Sequence, residues 1–93
     1  MKCTIGKKRY NSERCEIIAK NSHYNHSNNY CGSTQLLRAT DGQMLTMTES
    51  NGQDLYLHDS MGAWDADEFP IENWDMTDEQ EALAIKYGLI EIV

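Results

Sequence analysis

The chain has 93 residues, of which 40% are hydrophobic, and this suits one small domain with a thin core. No apolar run approaches the ~18 residues of a membrane-spanning helix, and the N-terminal residues lack the hydrophobic core of a signal peptide. We therefore expect a single domain, residues 1–93, in the cytoplasm of the cell that makes it, with Cys3, Cys15 and Cys31 reduced.

Charge divides the sequence into two halves of opposite sign. Residues 1–48 hold seven Lys or Arg and three acidic residues, for a net +4. Residues 49–93 hold twelve acidic residues and one basic residue, Lys86, for a net −11. Such an acidic half disfavours nucleic acid and favours basic partners, although the same acidity can serve solubility alone.

The N-terminal third predicts short strands and a polar loop. Residues 2–10 favour a strand broken at Gly6 and ending in a basic cluster. Residues 14–20 favour a strand because Ile17 and Ile18 are β-branched, while the polar residues before them would also suit the cap of a short helix. Residues 21–33 are rich in Asn and Ser without an apolar period, which indicates a loop.

Two turn dipeptides, Asp41-Gly42 and Asn51-Gly52, predict a three-stranded meander at the centre of the fold. Its strands are expected at about 35–40, 43–49 and 54–58. Two-residue turns would set Leu36 opposite Met47, and Met47 opposite Tyr56. One face would then carry Leu36, Leu45, Met47 and Tyr56 with Arg38 and His58, and the other Leu37, Ala39, Met44, Leu55 and Leu57. Both faces are apolar, so we expect layers packed on each side.

The remaining residues predict one helix. Gly62 and Pro70 argue against a regular element over 59–76. Thr77 to Gln80 form a capping box, so a helix is expected at about 78–87 and should end at Gly88. Residues 89–93 are β-prone and would return to the sheet or pack on the helix end. The fold class is therefore α+β: a small antiparallel sheet of four to five strands with one C-terminal helix.

A metal site is the most specific chemical prediction. Thiols and imidazoles are concentrated in the first third of the chain, and three Cys with one His suit a closed, structural zinc site. If 2–10 and 14–20 pair, Cys3 and Cys15 lie side by side and the polar loop can fold over them. The alternative is that the cysteines are core thiols and the histidines lie on the surface. The predicted zinc ligands are Cys3, Cys15, His26 and Cys31, with His23 as the substitute for His26.

An aromatic and acidic stretch predicts a partner-binding surface. Residues 64–76 combine large aromatic side chains, which can anchor a partner, with carboxylates that select a basic one. The two tryptophans could equally form a lid over one face of the sheet. The predicted partner-binding residues are Asp54, Asp59, Trp64, Asp65, Asp67, Glu68, Glu72, Trp74 and Asp75.

Catalytic patterns are weak. No two carboxylates stand out by spacing as an acid and base pair, and no Gly-rich phosphate loop is present. A Cys–His nucleophile is not selected either, because three cysteines lie near two histidines. We predict no enzymatic activity and no small-molecule substrate.

Residues 6–22, GKKRYNSERCEIIAKNS, and residues 36–50, LLRATDGQMLTMTES, resemble small accessory proteins of phages and mobile elements. The chain as a whole looks like an anti-CRISPR protein of the kind that acts on single-chain, class 2, type II Cas effector nucleases. The resemblance implies a non-enzymatic inhibitor working in a host bacterial cell. The matching positions are Gly6, Lys8, Arg9, Tyr10, Asn11, Ile18, Ala19, Leu36, Arg38, Gly42 and Glu49.

The sequence therefore predicts an inhibitor that binds a Cas effector nuclease through an acidic surface and blocks DNA binding or cleavage. Two alternatives stay open. One is an acidic, antitoxin-like partner protein. The other is a small zinc-stabilised module that contacts nucleic acid through Lys2, Lys7, Lys8, Arg9 and Arg14, with Tyr10 stacking on a base.

Overall fold

The computed structural model describes residues 1–91 and 93, and its strands form two antiparallel sheets. A hairpin of β1 (Lys2–Ile5) and β2 (Lys8–Asn11) precedes a four-stranded sheet in the order β3-β4-β5-β6. The strands of this second sheet are β3 (Glu16–Tyr24), β4 (Tyr30–Arg38), β5 (Met44–Ser50) and β6 (Ser60–Ala63). A short 3-10 helix, Ser12–Arg14, joins the sheets, and helix α1 (Asp78–Lys86) follows. The predicted α+β class is confirmed, with two sheets instead of one.

The first hairpin turns at Gly6, which has a positive φ of 61° and marks the break predicted there. β1 pairs with β2, so that Cys3 lies opposite Tyr10. The predicted pairing of residues 2–10 with 14–20 is therefore wrong. Residues 12–14 form the 3-10 helix, capped by the Asn11 side chain. The strand expected at 14–20 begins at Glu16, one residue beyond this helix.

The predicted loop at 21–33 is wrong except at its centre. β3 and β4 pair through Tyr24 and Tyr30, leaving only residues 25–29 as a tip. The Asn25 side chain closes this tip by accepting the backbone N–H of Ser27 and of Asn29. Polar pairs such as Ser22 opposite Ser33 continue the ladder, so the segment forms strands without an apolar alternation.

The hairpin at Asp41-Gly42 is confirmed, but its register differs by one residue. Its loop has three residues, because the Ala39 N–H donates to the Gln43 carbonyl and Gly42 takes a φ of 91°. Leu36 therefore lies opposite Thr46, not opposite the predicted Met47. A shift of one residue exchanges the two faces of β5, so Leu45 and Met47 join Leu37 and Ala39 instead of Leu36.

The third strand of the meander lies later than predicted. Residues 54–58 form a turn, in which the Asp54 side chain accepts the N–H of Tyr56, and Met47 pairs with Met61 of β6. Asn51 does not begin a two-residue turn, since its N–H donates to the Cys31 carbonyl and its side chain donates to the Tyr30 carbonyl. The sequence predicted no regular element over residues 59–76. This is wrong for residues 60–63, which form β6, and correct from residue 64 onward.

Other elements pack on both faces of the four-stranded sheet, as we expected from the apolar residues on each face. We name them by what covers them. On the hairpin face, the β1–β2 hairpin packs on a cluster of Tyr10, Leu37, Ala39, Leu45 and Met47. On the helix face, residues 64–90 pack on a cluster of Ile18, Ala19, Leu36, Ile71 and Ala84. A bulge between Ile17 and Ala19 places both Ile18 and Ala19 in the second cluster.

The capping box is confirmed, with the Thr77 hydroxyl accepting from the Gln80 N–H and the Gln80 side chain accepting from the Thr77 N–H. Gly88 takes the positive φ of 72° expected after the helix. Leu89 and Ile90 then pack on the helix-face cluster, while Ile92 of the β-prone C-terminal run lies outside the described residues. Among the residues described, no helix has the length and apolar character needed to cross a membrane.

Candidate partner-binding site

The basic hairpin and the most acidic segment lie on opposite faces of the four-stranded sheet. The basic hairpin residues Lys2, Lys7 and Arg9 are exposed on the hairpin-face side, where β1 and β2 pack. Residues 64–91 cover the opposite face and include a single basic residue, Lys86. We call these residues the acidic layer; its carboxylates are Asp65, Asp67, Glu68, Glu72, Asp75, Asp78, Glu79, Glu81 and Glu91.

An open cleft of about 550 Å³ lies within the acidic layer. Three exposed glutamates, Glu72, Glu81 and Glu91, line it together with half-buried apolar side chains. This acid-rimmed cleft offers apolar contact area surrounded by negative charge, which suits a basic, amphipathic partner. Its apolar lining residues are Trp74, Met76, Leu89 and Ile90.

A second cleft, of about 420 Å³, lies where the acidic layer meets β3 and β4. We call it the His23 cleft. The strands contribute Asn21, His23 and Thr34, and the layer contributes Glu68, Phe69, Pro70, Asn73 and Trp74. Trp74 lines both clefts, so one aromatic side chain lies between two concave surfaces.

Short-range hydrogen bonds hold the segment that shapes the clefts. The Trp64 indole N–H donates to the Phe69 carbonyl at 3.0 Å, and the Phe69 N–H donates to the Asp65 carbonyl at 2.8 Å. The Trp74 N–H donates to the carbonyl of Ile71, whose side chain is 1% exposed. The positions of Phe69 and Trp74 are thus fixed by backbone bonds and by a buried anchor.

The predicted acidic residues divide into two groups. Asp65, Asp67, Glu68, Glu72 and Asp75 are all exposed in the acidic layer. Asp54 and Asp59 lie instead between β5 and β6, where each accepts a backbone N–H, from Tyr56 and from Ser50. These two carboxylates hold a loop in shape.

The tryptophans serve the fold as a lid and also shape the site. Trp64 and Trp74 are both half-buried against the helix-face cluster. Of these two tryptophans, Trp74 is the one that lines the clefts. The sequence prediction missed Glu81, Glu91 and His23, because each reaches a cleft through long-range packing. Their residue types and spacings carried no signal for it.

The four predicted zinc ligands are not brought together in this fold. Cys15 shares a small cleft with Ala39, and Cys3 packs on the same cluster. Cys31 lies eight residues before Ala39 in the chain, about 26 Å away along an extended strand. Across residues 1–91 and 93, no three His, Cys, Asp or Glu side chains form a group that could hold a metal ion. Zinc binding stays a prediction.

The thiols and histidines have other partners in the structure. Burial, followed by the charges of Cys3 and Asp41, raises the pKa of the Cys15 thiol and so disfavours the thiolate form. Cys31 is buried, and its thiol donates to the Asn29 carbonyl. His23 Nε2 lies 2.7 Å from the Thr34 hydroxyl, which lies 2.9 Å from the Thr48 hydroxyl, and His26 is exposed at the β3–β4 tip.

The role predicted for Tyr10 in stacking on a nucleic acid base is wrong. Its side chain is 8% exposed in the hairpin-face cluster, and its hydroxyl donates to the Asp41 carboxylate at 2.8 Å. The Lys8 ammonium is paired with the same carboxylate at 3.1 Å. The basic hairpin thus offers less to a nucleic acid than its composition predicted.

The comparisons with known proteins give no relative. No family model, no curated protein and no solved structure matches the chain. The resemblance of residues 6–49 to small phage accessory proteins, and of the whole chain to anti-CRISPR proteins, therefore stays a prediction. The acidic layer with its two clefts is the strongest indication of function.

Proposed function

We propose that this protein is a non-enzymatic inhibitor that binds a basic surface of a Cas effector nuclease through its acidic layer. The observation that carries the proposal is the placement of Trp74 between two clefts on the acidic side of the sheet. Cas effectors hold nucleic acid in positively charged channels, so such a layer can occupy or obstruct them. The nuclease as partner comes from the resemblance of the whole chain to anti-CRISPR proteins, and the basic partner surface comes from the site.

Charge and apolar area contribute at different stages of binding. Exposed ion pairs add little affinity, about 0–1 kcal/mol each, so the glutamates mainly steer the encounter. Burial of Trp74, Met76 and the neighbouring aliphatic side chains then slows dissociation. Loss of the carboxylates should therefore lower the association rate and its salt dependence, while apolar truncation should raise the dissociation rate.

The direct test is charge reversal within the acid-rimmed cleft. Glu72→Lys combined with Glu81→Lys should lower binding of a type II Cas nuclease by about 100-fold or more, because two attractions become repulsions. The matched control is Glu13→Lys combined with Glu49→Lys, which adds the same charge at exposed positions outside the acidic layer. Binding is measured by pull-down from a host lysate and inhibition by DNA cleavage with the purified nuclease.

Each alternative outcome would contradict the proposed site or favour a different function. Equal loss in both variants would mean that net charge alone drives binding, and would contradict the proposed site. Capture of a toxin or another defence protein would favour the antitoxin-like alternative. Capture of DNA or RNA, abolished by Lys2→Glu with Lys7→Glu, would favour the nucleic acid module.

Zinc stabilisation is tested separately. Metal analysis of protein purified without a His tag should find about one zinc per chain if Cys3, Cys15, His26 and Cys31 bind it, and a chelator should then lower the melting temperature. A zinc content below ~0.2 per chain, with a melting temperature that the chelator does not change, would rule out the predicted zinc site.

A further inference from the structure

The His23 cleft differs in chemistry from the acid-rimmed cleft. It has one carboxylate, Glu68, where the acid-rimmed cleft has three, and it adds the side-chain amides of Asn21 and Asn73. Its apolar lining is aromatic, from Phe69 and Trp74, with the ring of Pro70 beside them. Within the part of the chain that the structure describes, its lining includes no lysine or arginine.

The floor of this cleft is polar and ordered. Thr34 is 2% exposed, and its hydroxyl lies within hydrogen-bond distance of both His23 Nε2 and the Thr48 hydroxyl. His23 is half-buried, while Glu68 and Asn73 are exposed. A ligand in this cleft would therefore meet buried hydrogen-bonding groups, two aromatic side chains and a single, exposed carboxylate.

These features favour a planar cation. A guanidinium group has five N–H donors in one plane, which suit a carboxylate and amide oxygens, and its faces stack on aromatic rings. An ammonium group is a compact, strongly hydrated charge and gains less from the two aromatic side chains. A phosphate would meet Glu68 without any basic partner in the lining.

We propose that the His23 cleft takes an arginine side chain of the basic partner, packed against Trp74 and paired with Glu68. This assignment rests on the proposed function, because it specifies which side chain of the basic partner the site selects. Trp74 also lines the acid-rimmed cleft, so the partner's neighbouring residues can enter that cleft while the arginine is held.

The probes are two amphipathic peptides of equal length and net charge, one with four arginines and the other with four lysines. Cation stacking and bidentate pairing should make the arginine peptide bind about fivefold or more tightly. Glu68→Gln should reduce that preference to less than about twofold by removing the charged acceptor. Glu79→Gln, on the exposed side of α1 and outside both clefts, should preserve it. Binding is measured by calorimetry, with the His23 and Trp74 side-chain resonances recorded by NMR.

The outcomes separate this inference from the proposed function. Equal binding of both peptides, unchanged by Glu68→Gln but weakened by Glu72→Lys with Glu81→Lys, would overturn the arginine site and leave the acidic docking surface standing. Binding of neither peptide, together with no capture of a Cas nuclease, would overturn both. Shifts of the His23 and Trp74 resonances with a neutral sugar such as maltose, in place of the arginine peptide, would assign the cleft to a different ligand class.

Discussion

At the scale of a single residue, Gly32 shows how closely the β4 backbone approaches its neighbours. A Cβ atom at this position would overlap the Glu49 carbonyl oxygen and would lie 3.0 Å from a Leu57 methyl group. Gly32 also has a φ of 148°, which side chains rarely allow. The site is therefore closed to any side chain.

We expect Gly32→Ala to lower the free energy of unfolding by about 2–3 kcal/mol, because the strand must shift to admit one methyl group. Gly62→Ala is the matched control, since a Cβ on this β6 glycine meets no atom within 4 Å. Its effect should stay within about 0.5 kcal/mol. Urea unfolding followed by circular dichroism measures both, and similar losses in the two variants would contradict the close approach.

At the scale of an element, Asp41 joins the N-terminal hairpin to the β4–β5 turn. Its carboxylate accepts from the Gln43 backbone N–H at 3.0 Å, from the Tyr10 hydroxyl at 2.8 Å and from the Lys8 ammonium at 3.1 Å. These three donors, in that order of effect, lower the pKa of Asp41 from 3.8 to about 2. One side chain thus closes its own turn and ties it to a second hairpin.

This pKa predicts acid sensitivity with a definite sign. A folded pKa below the unfolded value means that the unfolded chain binds more protons, so the stabilisation is complete above about pH 5 and is lost as the pH falls to about 2. In the Asp41→Asn variant, the free energy of unfolding should depend less on pH between about 5 and about 2. Tyr10→Phe removes one donor and should lose part of the dependence, while exposed Asp75→Asn should keep it. Urea unfolding at several pH values measures this, and an unchanged slope in Asp41→Asn would be inconsistent with it.

The elements also show which features the sequence could predict. The Thr77 capping box and the stop at Gly88 are local, so residues three or four positions apart determined them. The turn at Asp41-Gly42 was found for the same reason. Its loop length was not, because two- and three-residue loops accept the same dipeptide and the choice depends on the Ala39–Gln43 pair. The one additional loop residue shifted the register and so exchanged the two faces of β5.

The candidate site was predictable in composition and not in shape. The sequence placed Trp74 and five acidic residues in one segment, and the structure leaves these five carboxylates exposed and Trp74 half-buried, while their binding role stays a prediction. The clefts were not predicted, since they form only when residues 68–74 pack against β3, about fifty positions earlier in the chain. His23 is the clearest example: assigned to a loop as a substitute metal ligand, it lies on a strand beside Thr34.

At the scale of the whole molecule, the charge separation acts on stability as well as on binding. Like charges within the acidic layer are close together, as in Asp65, Asp67 and Glu68. The basic hairpin lies across the sheet, whereas Arg38, 4.3 Å from the centre of the Tyr87 ring, and Lys86 lie on the side of the layer. The shortest dimension of the molecule is 22 Å. At about 10 mM salt the screening length of about 30 Å exceeds that dimension, and at about 150 mM it falls to about 8 Å. Repulsion within the layer acts over shorter distances than attraction across the sheet and is therefore the stronger of the two. Added salt should then stabilise the fold, because it relieves more repulsion than it removes attraction.

We therefore expect the melting temperature to rise by about 2–4 °C between about 10 and 150 mM NaCl, although the same increase in salt weakens binding to a basic partner. Glu72→Gln with Glu81→Gln should raise the melting temperature at low salt and reduce its salt response, because two repelling charges are gone. Glu13→Gln with Glu49→Gln, outside the layer, should change it less. Differential scanning calorimetry measures all three proteins. A melting temperature that falls with salt would show that attraction across the sheet outweighs repulsion within the layer, and would contradict this prediction.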